Sequence, residues 1–356
     1  MNSSPHRILI ALSGGVDSAV ASYLLKEKGY QVEAVYVRTW ENEKDALGDC
    51  PGAKDLADAK EVAKFLEIPF HVVNFIDFYH QEIVRPMIQG YADGITPNPD
   101  ILCNRKMKFG ALMKYAKNHE FEALATGHYC RKILGKDGQA QLLEGIDKNK
   151  DQSYFLSQIS QEQLNYALFP LGEMQKEDVR ILAEKIRLPV AKKKDSQGIC
   201  FLGKVKVPQF LSNFIDDQPG EIVTTRGKVV GRHQGLHRYT LGQRKGIGVP
   251  SNTDFENFVV TGKNQEMNQL VVAFEDPKEL TLWGYIYRIE SVFFFNDKFP
   301  TEKIQLLGKA RYRDPSIPII FQPLEDQKAE IVFKSPQRAL TPGQILAIYE
   351  GERLIG

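Results

Sequence analysis

The run Ile8-Leu9-Ile10-Ala11-Leu12 leading into Ser13-Gly14-Gly15-Val16-Asp17-Ser18 decides the fold. Its apolar part has the length of a buried strand. Val20, Ala21, Leu24 and Leu25 then recur at helical spacing until Gly29 closes the segment. Two adjacent glycines let the backbone turn tightly and bring N–H groups to an anion, and the following helix adds the positive end of its dipole. The segment reads as a nucleotide-phosphate site made of Ala11, Leu12, Ser13, Gly14, Gly15, Val16, Asp17 and Ser18. The Ser13 and Ser18 hydroxyls are further donors, and Asp17 is the candidate holder of the Mg2+ that accompanies a polyphosphate.

The loop lacks the Gly-x4-Gly spacing and the terminal Lys-Ser/Thr of a Walker A sequence. It resembles instead the pyrophosphate loop (PP-loop) of the ATP pyrophosphatase superfamily. That resemblance implies cleavage of ATP between the α- and β-phosphates and attachment of AMP to an oxygen of the substrate. A glycine turn between strand and helix with no ligand is the bland alternative.

A chain of 356 residues accommodates two or three domains, and 42% hydrophobic content is ordinary for a globular protein with a substantial core. Lys and Arg number 46 against 45 Asp and Glu, so a net charge of +1 gives no whole-molecule attraction to nucleic acid. Local patches must supply any such attraction. No apolar run approaches the roughly 20 residues of a spanning helix, and no small-residue cleavage site follows the first apolar run, so a cytoplasmic protein without membrane association is expected. Cys50, Cys103, Cys130 and Cys200 are far apart and form no Cys-x2-Cys pair, which disfavours structural zinc and iron–sulfur ligation. In a reducing compartment such thiols are inert core residues or chemical participants.

Strand and helix alternate up to about Pro189: Val32 to Val37 as strand, Ala53 to Leu66 as helix, Phe70 to Phe75 as strand, Phe109 to Lys117 as helix, Ala123 to Thr126 as strand. The alternation predicts an α/β fold, a Rossmann-like parallel sheet with helices on both faces and ligands at the carboxyl ends of its strands. The phosphate loop and Thr126-Gly127-His128 both fall there; Gly127 lets an adenine or ribose approach the backbone, or is a plain strand-end glycine. Lys176 to Ile186 reads as a further helix terminated by Pro189. The expected units are 1–204, a PP-loop catalytic domain; 205–277, a small central domain; and 278–356, a C-terminal antiparallel β-barrel. The barrel rests on short strands at Ile286 to Phe295, Ile304 to Arg311, Ile317 to Phe321 and Ile331 to Phe333, divided by Asp-Pro, Ser-Pro and Pro-Gly turns.

Thr96-Pro97-Asn98-Pro99-Asp100-Ile101-Leu102-Cys103-Asn104 is the second unusual segment. Proline pushes its predecessor out of helical angles, so Thr96 to Pro99 reads as a stiff extended approach, with Cys103 at the start of a helix beginning near Arg105. There the helix end, Arg105, Lys106 and Lys108 favour a thiolate over a thiol of pKa about 8.5. Asp100 is a candidate acid or base; a core cysteine and a turn-capping aspartate are the structural reading of the same pair. Cys200 lies between Gly198 and Gly203, in a loop able to move or in an apolar Ile-Cys-Phe-Leu strand. Cys130 reads as a core residue, and Cys50 has no clear role.

Together these segments resemble the bacterial tRNA-specific 2-thiouridylases over essentially the whole chain. The motifs that carry the likeness are Ser13 to Ser18, Asn98 to Asn104, Gly198-Ile199-Cys200-Phe201, Lys150-Asp151-Gln152-Ser153-Tyr154-Phe155-Leu156, Tyr239 to Gly246 and Arg311-Tyr312. The resemblance implies Cys103 as nucleophile, Cys200 as persulfide carrier, and Asn98, Pro99 and Asp100 at the target base. It further implies tRNA contacts by Lys150, Asp151, Gln152, Arg311 and Tyr312. Val37 stands where related chains often carry methionine beside the nucleotide. The implied reaction adenylates the 2-oxo oxygen of the wobble uridine, so that sulfur from the Cys200 persulfide can displace AMP. Cys103 then attacks the persulfide, leaving a Cys103–Cys200 disulfide, or helps release hydrosulfide. Either route needs Cα separations below about 7 Å at some stage. Implied partners are tRNAs for glutamate, glutamine and lysine, and a sulfur-relay protein or cysteine desulfurase as donor.

Between Ile222 and Pro250, Arg226, Lys228, Arg232, Arg238, Arg244 and Lys245 occur with no Asp or Glu, interspersed with His233, His237 and Tyr239. That composition suits phosphate contacts with occasional stacking, and a solvated basic loop has the same look. Lys192 to Lys194 reads as wet surface. Two other function classes explain the loop: a ligase that adenylates a carboxylate, needing neither cysteine, and an ATP-sensing RNA-binding module without chemistry.

Overall fold

The computed structural model describes residues 6–40, 52–195, 207–250, 257–275, 282–295 and 299–356. Cys50 and Cys200 lie outside them. Five strands form one parallel sheet: β1 (Arg7–Ala11), β2 (Gln31–Arg38), β3 (Phe70–Asn74), β4 (Ala123–Ala125) and β7 (Ala167–Leu168), in the order β3-β2-β1-β4-β7. Side chains alternate across the pleat, so Leu9, Val35 and Val37 enter one buried cluster while Ile8, Ile10, Val32 and Ala34 enter the other. Both faces are covered, as the near-continuous apolar strands require. The order reverses direction between β1 and β4, and the crevice beyond their carboxyl ends is where such sheets hold ligands.

Helices α1 (Val16–Glu27) and α2 (Gly52–Phe65) match the periodicity closely. α3 is a helical run through Ile76–Tyr79, His80–Val84 and Arg85–Ala92, and α4 runs through Pro99–Leu102, Cys103–Leu112 and Met113–Asn118; the middle part of each is π-helical. The helix expected from Phe109 therefore starts ten residues earlier. Asn98 caps it, its Oδ1 accepting from the Asp100 and Ile101 amides at 3.1 and 3.2 Å, and Pro99 occupies the first helical position, where its missing N–H costs nothing. α5 (Gln161–Tyr166) opens on a capping box between Ser160 and Gln163. α6 (Lys176–Lys185) ends before Pro189: Arg187 turns into the left-handed region at φ 60°, and Arg187 and Leu188 donate back to Glu184 and Ala183 at 3.0 and 2.9 Å. The short α7 (Val207–Leu211) follows.

The central unit is a four-stranded sheet, β8 (Gly220–Thr224), β9 (Val229–His233), β10 (Phe258–Asn264) and β11 (Gln269–Phe274), ordered β10-β11-β8-β9 around Ile222, Val260, Leu270 and Val272. The C-terminal antiparallel sheet contains β12 (Trp283–Ile289), β13 (Ile304–Lys309), β14 (Ile317–Pro323), β15 (Ala329–Arg338), β16 (Ala347–Glu350) and β17 (Arg353–Leu354). Two earlier strands, β5 (Cys130–Leu134) and β6 (Ala140–Glu144), complete it through β17. The strand expected at Ile286 to Phe295 leaves the ladder after Ile289; Val292 and Phe295 keep single bonds to Gln327 and Ile355, and Val292 and Phe294 pack into the β core. No described helix is long and apolar enough to cross a membrane.

Candidate active site

The loop between β1 and α1 is shaped by close packing. At Gly14, φ is +75° and a Cβ would meet the Asp55 carbonyl oxygen at 2.3 Å, so α2 crosses directly over it. Gly15 caps α1 and offers no side chain to its first turn, whose amides are left for an anion. The Ser18 hydroxyl, expected to face the phosphates, is engaged inside the loop: it donates to the Gly15 carbonyl at 3.1 Å, accepts from the Ser13 amide at 3.2 Å and lies 3.1 Å from Ser13 Oγ. Ser13 is exposed; Leu12, Gly14, Val16 and Ser18 are buried, and Ala11, Gly15 and Asp17 are half-buried.

Asp17 sits in a charge network that the sequence did not announce. Its Oδ1 accepts from Lys176 Nζ at 2.6 Å and from the Tyr129 hydroxyl at 2.7 Å. Burial and then the Asp17 carboxylate push the Tyr129 phenol far above its ordinary range, so it stays a neutral donor. Lys176 also lies 2.8 Å from Asp195, whose other partners are Lys150 at 2.8 Å and Arg180. Burial alone would raise the Asp195 pKa; hydrogen bonds from Lys150 and Lys176 outweigh it and hold the carboxyl far below the usual range. Lys176 and Tyr129 both engage Asp17 through Oδ1, so an Mg2+ brought in by nucleotide phosphates would be met by the other carboxylate oxygen. Among the described residues no group of three or more acidic, histidine or cysteine ligands gathers.

Gly127, half-buried, packs closely against the start of α1. A Cβ there would meet the Ser18 amide nitrogen at 2.9 Å and the Asp17 carbonyl carbon at 3.0 Å, so its bareness serves the packing of β4 against α1. The Val37 side chain points into the same buried cluster as Leu9 and Cys103. His128 is a core imidazole, 2.7 Å from Thr126 Oγ1; burial, and then Lys108, lower its pKa well below the ordinary value and keep it neutral. Lys193, read as wet surface, is instead bound to the loop: its Nζ donates to the Gly14 carbonyl at 3.0 Å, to Asp55 at 2.7 Å and to Asp58.

The other candidates gather at the start of α4. Because α4 begins at Pro99, Cys103 lies in its second turn with its amide bonded to Pro99 and Asp100 carbonyls, not at an open helix end, and it is 1% exposed. Its neighbour Asn104 donates through Nδ2 to the Phe155 carbonyl at 3.2 Å, while Asn104 Oδ1 is buried without a hydrogen-bond partner among the described residues. Asn98 hydrogen-bonds the Tyr154 side chain. The Tyr154 hydroxyl reaches the Ala310 and Ile345 carbonyls at 3.3 and 3.1 Å, and the Phe155 ring lies 4.3 Å from that of Tyr312. Arg311 is anchored to the Arg338 and Ala339 carbonyls, both at 2.7 Å. Asn98, Pro99, Asp100, Cys103, Arg311 and Tyr312 therefore share one neighbourhood, joined by Asn104 and Phe155, for which sequence carried no signal beyond adjacency.

The Asp151 side chain is turned inward. It is 3% exposed and accepts from the Gly145 and Ser153 amides, the Ser153 hydroxyl and, at 3.3 Å, Lys309. A carboxylate so enclosed organises the chain around it. Gln152 is half-buried and exchanges hydrogen bonds with the Tyr129 backbone at 3.1 and 2.9 Å; Lys150 is half-buried on Asp195. In the central unit, His233, His237 and Tyr239 are buried and unable to stack on a base, because they fill the small core instead. Arg238 is held bidentately by Asp217 at 2.6 and 2.7 Å and Arg244 by Glu275, acids from outside the basic window; Arg226, Lys228, Arg232 and Lys245 remain exposed.

A glycine loop at the switch point of a parallel sheet defines a nucleotide-binding α/β protein. Residues 6–204 match the family described as tRNA methyl transferase HUP domain, 208–274 the tRNA methyl transferase PRC-barrel domain, and 286–356 the aminomethyltransferase beta-barrel domain. A tRNA-specific 2-thiouridylase from Akkermansia muciniphila is 45% identical over 350 residues, 98% of this chain and 97% of its own. One from Pasteurella multocida is 44% identical over 354 residues, 98% of this chain and 91% of its own. A solved 4-thiouridine synthetase–RNA complex with bound ATP superposes weakly, with TM-score 0.39 and 19% identity over 58% of this chain and 50% of that one. The chain belongs to the tRNA-specific 2-thiouridylase family.

Proposed function

We propose that this chain thiolates the wobble uridine of tRNA at C2, using ATP and a sulfur atom delivered through cysteine chemistry. The observation that carries the reading is the contact of Asn104 with Phe155 beneath Tyr312, which ties the Cys103 turn to the C-terminal sheet. A base seated there would lie beside the half-buried Asp100, with Cys103 buried one turn further along α4.

The loop from Ala11 to Ser18 binds the phosphates of ATP through its amides. Bound ATP supplies an adenylyl group for the 2-oxo oxygen, which otherwise leaves poorly. As that oxygen is substituted, N3 of the uracil must give up its proton, and Asp100 is the group assigned to take it. Cys200 carries the donated sulfur as a persulfide whose terminal sulfur bonds to C2. Cys103 then breaks the sulfur–sulfur bond, leaving a Cys103–Cys200 disulfide, or assists release of hydrosulfide for the same attack. Lys150, Arg311 and Tyr312 contact the tRNA, with the exposed Arg226, Lys228, Arg232 and Lys245 as phosphate contacts. The working units are 1–204, 205–277 and 278–356. The substrates are tRNAs for glutamate, glutamine and lysine, the donor is a relay protein or a cysteine desulfurase, and the site of action is the cytoplasm.

Incubation with ATP, magnesium, a persulfide source and unmodified tRNA, followed by mass spectrometry of the wobble nucleoside, tests this. An oxygen-to-sulfur mass gain is expected, lost in C200S while pyrophosphate release persists. Pyrophosphate release with no change in the nucleoside would overturn the reading.

A further inference from the structure

The geometry points to Lys193 as the positioning residue that aims the Gly15 amide at the nucleotide phosphates. The inference rests on the reading of the loop as the ATP site. Lys193 belongs to no part of that loop in sequence, yet its ammonium holds the Gly14 carbonyl at 3.0 Å and is itself held by Asp55 at 2.7 Å and by Asp58, both on α2. Those carboxylates more than offset the desolvation of the half-buried side chain and raise its pKa, so the cation is permanent at neutral pH.

The consequence follows from peptide planarity. The Gly14 carbonyl and the Gly15 N–H belong to one trans peptide unit and point in opposite directions. Drawing the carbonyl toward α2 forces the N–H to the other side, where the uncapped first turn of α1 also presents its amides. Two glycines in succession give this peptide plane little intrinsic preference, since Gly14 already sits at φ +75°. Without an anchor the plane can rotate, and a carbonyl oxygen would then face the anion. Lys193 supplies the anchor, with the Asp55 backbone packed over Gly14 as the wall behind it.

The test is calorimetric binding of ATP, inorganic pyrophosphate and AMP to the full chain, for wild type, K193M and K193R, with thermal melting alongside. We expect K193M to weaken ATP and pyrophosphate about tenfold, the worth of one well-aimed hydrogen bond to a charged group, while AMP changes less than twofold and K193R regains most of the loss. Equal losses for all three ligands, or no loss in a K193M protein that melts cooperatively, would overturn the assignment and leave Lys193 a structural ion pair. If K193M fails to fold, K193R decides: pyrophosphate affinity close to wild type supports the anchor, and a tenfold loss with intact melting refutes it. Wild-type protein that binds neither ATP nor pyrophosphate would instead refute the ATP site and the inference with it.

Discussion

Asn104 Nδ2 donates to the Phe155 carbonyl across 3.2 Å, joining the second turn of α4 to the chain beneath Tyr312. Replacing Asn104 by alanine removes that tie. N104A should lower stability by about 1 kcal/mol in urea titration, since one buried hydrogen bond is lost. In the thiolation assay it should raise KM for tRNA more than it lowers kcat. An unchanged KM would show that Phe155 does not depend on this contact.

Asp195 makes acid stability predictable in sign. Its folded pKa lies far below the unfolded value of about 3.9, so its contribution is present above that value and declines as pH falls toward the folded one. Denaturation midpoints measured from pH 6 downward should therefore drop below about pH 4. D195N should be less stable at pH 6 and lose less on acidification. Because Asp195 is about one-third exposed, solvent screens part of this effect.

Lys309 is the buried counter-charge of Asp151, at 3.3 Å, and both side chains are more than nine-tenths enclosed. K309M leaves that carboxylate without its cation. A loss of about 3 kcal/mol is expected from breaking one half of a buried pair. Any effect on tRNA affinity should be explained by the folded fraction; a binding defect at full folding would return Asp151 to the RNA surface.

Cys130 is fully buried, and burial, followed by the Asp151 charge, raises its thiol pKa well above the ordinary value. It should resist iodoacetamide at pH 8 in the native protein and react only on unfolding. C130A should thiolate tRNA at the wild-type rate wherever it is folded. Rapid native labelling of Cys130, followed by mass spectrometry, would contradict this burial.

The parallel sheet was legible because an apolar run ending in two glycines admits few alternatives, and its helices because their stripes repeat over three turns. Asn98 is extended as expected, but Pro99 was misread for a physical reason: the same dipeptide continues an extended approach or forms a cap followed by the first helical residue, and the partner of the Asn98 side chain decides. Lys193 was invisible for another. Its partners Gly14, Asp55 and Asp58 are more than a hundred residues away, and a run of three lysines says nothing of where one of them points. His233, His237 and Tyr239 looked like a stacking surface because composition does not distinguish a small core from a sticky face.

The pairing of β6 with β17 has a bearing on how the protein is made. On one side of β6, Leu142 and Leu143 pair locally with Lys132 and Arg131 of β5; on the other they pair with Leu354 and Arg353, about 210 residues later in the chain. At typical ribosomal speeds, the hairpin emerges on the order of ten seconds or more before the strand that covers it. During that interval a strand edge stands open to other nascent chains. Loss of β17 would make that exposure permanent, so Arg353 and Leu354 guard the open edge of the β5–β6 hairpin against aggregation.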